Sequence, residues 1–474
     1  MSIETILLTI AVISGFYMAW SIGANDVANA MGTSVGSGAL TVKRAVIIAA
    51  LLEFSGAFLV GSHVTETVRK GIISPELFVG NELDLVFGMI GALLAAAIWL
   101  QVASYFGWPV STTHSIVGAV LGFGVMYGGM EAADWGKVTS IVASWVVSPL
   151  ICGTIAYLIF LFLRRAIYGS DDPVGAAKRL TPFLVFFVFL VLTLTMVFKG
   201  LKNLKLNLDF SEALLVAIGV GLIASLVGHL LVKRIKPVKT SEREIVFQPE
   251  PVGAGVAQAL QTLRSVAIDA RGDVKEQLTT LVHDLTTIDK GIKKGVAKET
   301  GSAELNSVER IFVYLQILSA AFVAFAHGAN DVANAVGPMV AVITTLRTGL
   351  VAMQAAVPLW ILGMGGVGIV VGLATWGWRV MLTIGKKITE LTPTRGFCAE
   401  FAAATTIVIA SKLGLPISTT HTLVGGVLGV GLARGISALN LRVVTNIAIS
   451  WVVTIPAGAI GAIGFYYIFK FIFG

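Results

Sequence analysis

The sequence predicts an all-α polytopic membrane protein of about twelve transmembrane or re-entrant segments, arranged as two inverted-topology repeats. Three observations predict it. Of 474 residues, 56% are hydrophobic and only 13% are charged, where a soluble domain carries roughly a quarter charged residues. The apolar residues fall in runs of bilayer length, because a hydrocarbon core of ~30 Å takes about 20 helical residues. One eight-residue block also occurs twice, letter for letter, in the two halves of the chain.

The first run, 4–22, carries Glu4 where a secretory signal has basic residues, and is read as a retained first helix. Runs at 44–64, 85–107, 112–128, 137–163, 181–200 and 211–233 complete a first membrane half, 1–233. A polar stretch, 234–308, follows as a cytoplasmic helical insert, since Leu278, Leu281, Leu285 and Ile288 recur at helical spacing among charges. It is read as a solvated helical pair joining the halves, with regulation or homo-oligomerisation as the other reading. The second membrane half, 309–474, holds runs at 309–327, 357–382, 398–413, 419–434 and 441–472.

The runs at 85–107 and 112–128 are separated only by a Trp-Pro-Val-Ser-Thr junction, and those at 398–413 and 419–434 by Leu-Pro-Ile-Ser-Thr. Neither junction is long enough to cross a headgroup layer, so each pair is expected to turn inside protein. Basic residues set the orientation. Lys43, Arg44, Arg164, Arg165, Lys178, Arg179, Lys233, Arg234, Lys236, Lys239, Lys386 and Lys387 fall on one side, which is expected to be cytoplasmic. Arg69, Lys70, Lys199, Lys202 and Lys205 oppose that bias. Both termini are then extracytoplasmic in a multi-pass protein of the cell membrane.

The net charge of +7 is what positive cytoplasmic loops supply, so no nucleic-acid partner is expected; the partner is the lipid bilayer. Cys152 and Cys398 sit in or beside apolar runs without paired or metal-ligand spacing, and predict neither a disulfide nor a zinc site. No activated nucleophile or water-accessible metal cluster suggests an enzyme, and no cofactor is expected.

The repeat organises the polar residues. Gly23-Ala24-Asn25-Asp26-Val27-Ala28-Asn29-Ala30 returns as Gly328-Ala329-Asn330-Asp331-Val332-Ala333-Asn334-Ala335. Pro109-Val110-Ser111-Thr112-Thr113-His114 returns as Pro416-Ile417-Ser418-Thr419-Thr420-His421, and Trp145-Val146-Val147 as Trp451-Val452-Val453. The three separations are 305, 307 and 306 residues, so the copies are collinear. Seven segments lie between the two copies of the first block, which inverts the second repeat and sets broken helices face to face near the midplane.

Each Gly-Ala-Asn-Asp block puts a carboxylate and amides at the end of an apolar run, where an unpaired charge is costly. Asn25, Asp26, Asn29, Asn330, Asp331 and Asn334 together supply the oxygens of a hard-cation site; helix capping by the two Asp residues is the plainer alternative. In the second motif, proline ends one helix and Ser111, Thr112 and Thr113, or Ser418, Thr419 and Thr420, open the next. Hydroxyls beside free backbone N–H groups make an anion cradle, with helix capping alone as the plainer alternative. With no Lys or Arg in either motif, an anion there is tolerated beside Asp26 and Asp331 only when cations bind too, which couples the two ligands. Glu53, Glu400 and Gln101 are candidate pathway residues, Gln101 toward the Ser111 cradle. His114, His327 and His421 are candidate proton relays or imidazoles satisfied by backbone carbonyls. The tryptophans are given no chemistry.

At these motifs the chain resembles the inorganic phosphate transporter (PiT) family, its sodium-coupled branch in particular, through both paired motifs and the stretches beginning GANDVANAMGTS and EFSGAFLVG. The likeness covers 1–233 and 309–474. It implies inverted repeats, phosphate held by the Ser-Thr-Thr stretches, sodium at the Asn and Asp of the first motif, and transport roles for Glu53 and Glu400. The expected function is phosphate import coupled to sodium by alternating access. A proton-coupled phosphate or sulfate permease is the alternative, and an anion channel the reading from another class.

Overall fold

The computed structural model describes residues 2–62, 64–65, 72–197, 208–235, 250–270, 273–351, 357–381 and 388–474. The basic residues Arg69, Lys70, Lys199, Lys202, Lys205, Lys236, Lys239, Lys386 and Lys387 lie outside them. Every apolar run read from the sequence lies at least partly on a helix, and the only strand pairing among the described residues is one isolated bridge, Ile73 to Ala133. In chain order the helices are α1 (Ile3–Gly36), α2 (Val42–Val60), α3 (Glu82–Phe106), α4 (Thr112–Gly128), α5 (Trp135–Leu163), α6 (Pro173–Val197) and α7 (Phe210–Lys233). There follow α8 (Glu250–Asp269), α9 (Asp273–Thr348), α10 (Leu359–Thr375), α11 (Pro393–Lys412), α12 (Thr419–Arg434) and α13 (Leu441–Phe473).

Seven stretches among the described residues are long and apolar enough to cross a bilayer: α1, α3, α5 with the turn after it, α6, α7, residues Glu304–Thr348 of α9, and α13. Buried and lipid-side apolar residues alternate around α6, α7 and α13, which leaves Leu215, Leu226, Phe183 and Val452 exposed. Such faces are at home only in hydrocarbon. The chain is therefore an all-α multi-pass membrane protein.

Local chemistry sets the helix ends that matter. Gly107 closes α3 at φ 67 and Gly414 follows α11 at φ 69, a left-handed turn that glycine adopts without a Cβ clash. Pro109 and Pro416 then bring chain without an N–H donor to Ser111 and Ser418. The hydroxyls of those serines accept from the backbone N–H of His114 and His421, each at 3.1 Å, as N-caps of α4 and α12.

The first motif corrects the sequence reading. Asn25-Asp26 and Asn330-Asp331 do not end their helices; α1 and α9 run unbroken through them to Gly36 and Thr348. Small residues in the block explain this, because they let neighbouring backbones close in without breaking the helix's own hydrogen-bond ladder. A Cβ on Gly23 would stand 1.9 Å from the Ile369 carbonyl oxygen of α10, and one on Gly328 would stand 2.1 Å from that of Glu53 on α2. α9 is also continuous across residue 308, where the sequence suggested a junction between insert and membrane half; it is one helix of 76 residues.

The packing interlocks the two repeats. α1 packs on α10 while α9 packs on α2, and α4 packs on α13 while α12 packs on α5. The same glycine contacts serve both copies: Gly118 lies against the Ile455 carbonyl and Gly425 against that of Pro149. Each repeat thus supplies helices that complete the other's core.

Candidate functional site

The unbroken α1 and α9 bring their Asn-Asp blocks into the buried centre, where the N-termini of α4 and α12 arrive. Asp26, Asp331, Glu53 and His327 are all 0% exposed. Asn29 Nδ2 donates to Thr420 Oγ1 at 2.8 Å, and in the other copy Asn334 Nδ2 donates to Thr113 Oγ1 at 3.2 Å. Thr419 Oγ1 donates to Asp331 Oδ2 at 2.8 Å, and Thr420 Oγ1 lies 3.3 Å from Asp26 Oδ1. The two cradles also bond each other: Thr113 Oγ1 donates to the Ile417 carbonyl at 3.0 Å, and Thr420 Oγ1 lies 3.1 Å from that of Val110. Both Asn-Asp blocks and both Ser-Thr-Thr stretches therefore form one site. Asp26 and Asp331, in helix interiors, are not caps.

The asparagines are oriented by residues the sequence reading passed over. Asn25 Nδ2 donates to Ser104 Oγ at 3.0 Å and to the Trp108 carbonyl at 3.1 Å, and Asn330 Nδ2 donates to Ser411 Oγ at 2.8 Å. With the amide nitrogens engaged, the Oδ1 atoms of Asn25, Asn330 and Asn334, and Asp331 Oδ1, are buried with no hydrogen-bond partner among the described residues. Buried acceptors of this kind suit a hard cation held by oxygen. The signal for the two serines was present in the sequence: Ala103-Ser104, Gly107 and Pro109 repeat as Ala410-Ser411, Gly414 and Pro416.

His327 departs from the expectation of an imidazole satisfied by backbone carbonyls. Its Nε2 lies 3.0 Å from Asp331 Oδ2 and 3.8 Å from Asp26 Oδ2, and its Nδ1 lies 3.4 Å from Glu53 Oε1. The arrangement Asp26, His327 and Asp331 has the spacing of a metal-binding group. Three carboxylates against one imidazole leave the cluster acidic, and no Lys or Arg is bonded to it among the described residues.

Glu400 lies elsewhere in the core, inside a ring of donors. Thr33 Oγ1, Ser34 Oγ and Gln316 Nε2 donate to its Oε1 at 2.5, 2.7 and 3.2 Å, and Ser319 Oγ donates to Oε2 at 2.5 Å. Gln101 is half-buried, and its Oε1 accepts from Tyr17 Oη; no bond joins it to the Ser111 cradle among the described residues. His114 and His421 stack edge to face at 4.3 Å between Trp145, 3.8 Å from the first, and Trp451, 3.5 Å from the second. Trp145 Nε1 also donates to the Pro416 carbonyl at 3.3 Å, which ties Trp145 to the start of the second cradle.

A buried polar site shared between two repeats of a helical membrane fold defines a membrane transport protein. The profile of the phosphate transporter family matches residues 22–462, and the chain belongs to that family. It is 44% identical over 481 residues to inorganic phosphate transporter 2-1, chloroplastic, of Arabidopsis thaliana, covering 99% of this chain and 73% of that protein. The solved structure of a sodium-dependent phosphate transporter superposes with a TM-score of 0.79 at 38% identity, over 98% of this chain and 99% of that one. The relatives are transporters, and the chain is a phosphate transporter rather than an enzyme.

Proposed function

We propose that the chain imports phosphate together with sodium, by alternating access around the site between α1, α9, α4 and α12. The observation that carries this is the direct bonding of Asp331 and Asp26, one from each repeat, to the Thr419 and Thr420 hydroxyls of a single cradle. An oxyanion held by Ser111, Thr112, Thr113, Ser418, Thr419 and Thr420 stands beside two carboxylates, and like charges so placed repel strongly away from water. Sodium, coordinated by Asp26, Asp331 and the amide oxygens of Asn25, Asn29, Asn330 and Asn334, offsets that repulsion. Each ligand then raises the affinity for the other, which is the thermodynamic content of symport.

The inverted repeat supplies two related arrangements of one site, open to opposite faces, when the interlocked helices rock against each other. About twelve membrane segments place both termini outside, with 234–308 on the cytoplasmic side. The sodium dependence of the 38%-identical relative supports the choice of ion. A second reading, coupling to protons, is favoured by one observation: His327 among three carboxylates could take up a charge that sodium otherwise supplies. Labelled phosphate uptake into proteoliposomes under a sodium gradient, a proton gradient or neither, and with excess sulfate, separates these readings. Uptake should follow sodium and resist sulfate; uptake indifferent to sodium would sink the sodium assignment.

A further inference from the structure

Away from the transport site, a groove of about 1250 Å³ is lined by α6, α7 and the membrane part of α9, where α6 packs on both α7 and α9. Val185, Phe189, Ile223, Val227 and Leu318 give it apolar walls. One end differs. Arg234 and Arg310 line it, both side chains are exposed, and no carboxylate pairs with either among the described residues. The acid beside Arg310 is turned elsewhere: Glu309 accepts from Tyr168 Oη at 2.9 Å and from the Thr394 backbone N–H at 2.8 Å.

These two arginines share an end of the bundle. Tyr168 precedes the start of α6, which fixes Arg310 there through Glu309. Lys178, in the second turn of α6, donates from Nζ to the Ile235 carbonyl at 2.8 Å, which fixes the end of α7 at the same level and adds a third positive charge. The opening is therefore apolar along its length and cationic at one mouth.

We propose that this groove is a binding site for an anionic phospholipid, with an acyl chain along the apolar wall and the headgroup phosphate between Arg234 and Arg310. The planar guanidinium fork matches two phosphate oxygens at once. Basic pockets between membrane helices favour lipids with net negative charge. A zwitterionic lipid offers the same chain, but its ammonium cancels the phosphate's field at the arginines. Charge complementarity thus selects the headgroup while the walls accept any chain.

The test uses the full-length protein in nanodiscs of equal phosphatidylglycerol and phosphatidylcholine with matched acyl chains, extracted gently and analysed by native mass spectrometry. Phosphatidylglycerol should be enriched on the unaltered protein. The enrichment should fall about tenfold in the double variant Arg234→Ala with Arg310→Ala, and survive in part when both are replaced by Lys. Filling the groove with Ala224→Trp should lower retention of both lipids. Both arginines are exposed, so the substitutions leave the packed core intact. Equal retention of the two lipids by the unaltered protein, or enrichment unchanged by the double alanine variant, overturns the proposal. So does retention unchanged by Ala224→Trp, which would mean that another occupant fills the groove. Displacement of the lipid by inorganic phosphate alone would overturn it in favour of a free-phosphate site.

Discussion

His327 Nε2 lies 3.0 Å from Asp331 Oδ2, one helical turn along α9, while its other ring nitrogen faces Glu53 on α2 at 3.4 Å. This arrangement exists in only one repeat. The glycine contacts give the register: Gly23 meets Ile369 as Gly328 meets Glu53, and Gly372 meets Trp20 as Gly56 meets Phe325. In the other repeat, the positions of His327 and Glu53 are therefore occupied by Ile22 and Ile369. The candidate site is built on a symmetric frame with an ionisable pair on one side alone.

That asymmetry yields a double-mutant test. His327→Ile leaves Glu53 buried without its partner, which costs about 3–5 kcal/mol for a broken buried pair. His327→Ile together with Glu53→Ile reproduces the apolar pair of the other repeat, and should recover the part of the loss that Glu53 causes, leaving the part due to Asp331 and Asp26. Thermal melting of the purified proteins in detergent measures it. Additive losses would show that the two side chains do not act as a pair.

Asp26→Asn and Asp331→Asn each remove a charge from the proposed cation site while keeping the side chain's shape. Sodium-driven phosphate uptake should fall about 10- to 100-fold in each, the range of a coupling free energy between two ligands. Membrane insertion should be normal. Near-normal uptake in both variants would reduce these residues to structural roles.

Glu400 is the acceptor for three hydroxyls and one amide. Glu400→Leu strands those donors in the core and should cost about 3 kcal/mol or more, whereas Glu400→Gln retains an acceptor and should cost roughly half as much. Melting temperatures of the two variants, compared side by side, decide this. Equal losses would mean that volume rather than hydrogen bonding matters at this position.

Gly23→Ala and Gly328→Ala place a methyl group within 1.9 Å of the Ile369 carbonyl and 2.1 Å of the Glu53 carbonyl. Backbone cannot move as a flexible side chain can, so each change should destabilise by about 1–3 kcal/mol or more. Gly219→Ala, with open space around it, is the control and should be nearly silent.

Much of this site was legible in the sequence because a repeat doubles its signal. The Ser-Thr-Thr stretches stand at helix starts as the proline and hydroxyl pattern predicts, and Ser104 and Ser411 were readable from the same repetition. What lacked a second copy was harder to read. The donors around Glu400 are scattered over α1 and α9, and the matching position in the first repeat is Leu93, on the register of Ser104 and Ser411. His327 carried no pattern beyond its place before the second block. The broken helix expected at Asn25-Asp26 failed for a simple reason. Glycine and alanine permit a break but do not require one, and here they serve close helix packing.

The amino-acid order by itself determined that the chain lives in a bilayer, that its elements are helices, and that two collinear motifs recur. Hydrophobicity and helix-end chemistry are local, so they can be read along the chain. Only the tertiary structure decided that the repeats interlock, so that Asn29 meets Thr420 and Asn334 meets Thr113 across 391 and 221 residues. It also decided that one imidazole faces three carboxylates. Those facts depend on which helix packs against which, a choice made by complementary surfaces between distant segments.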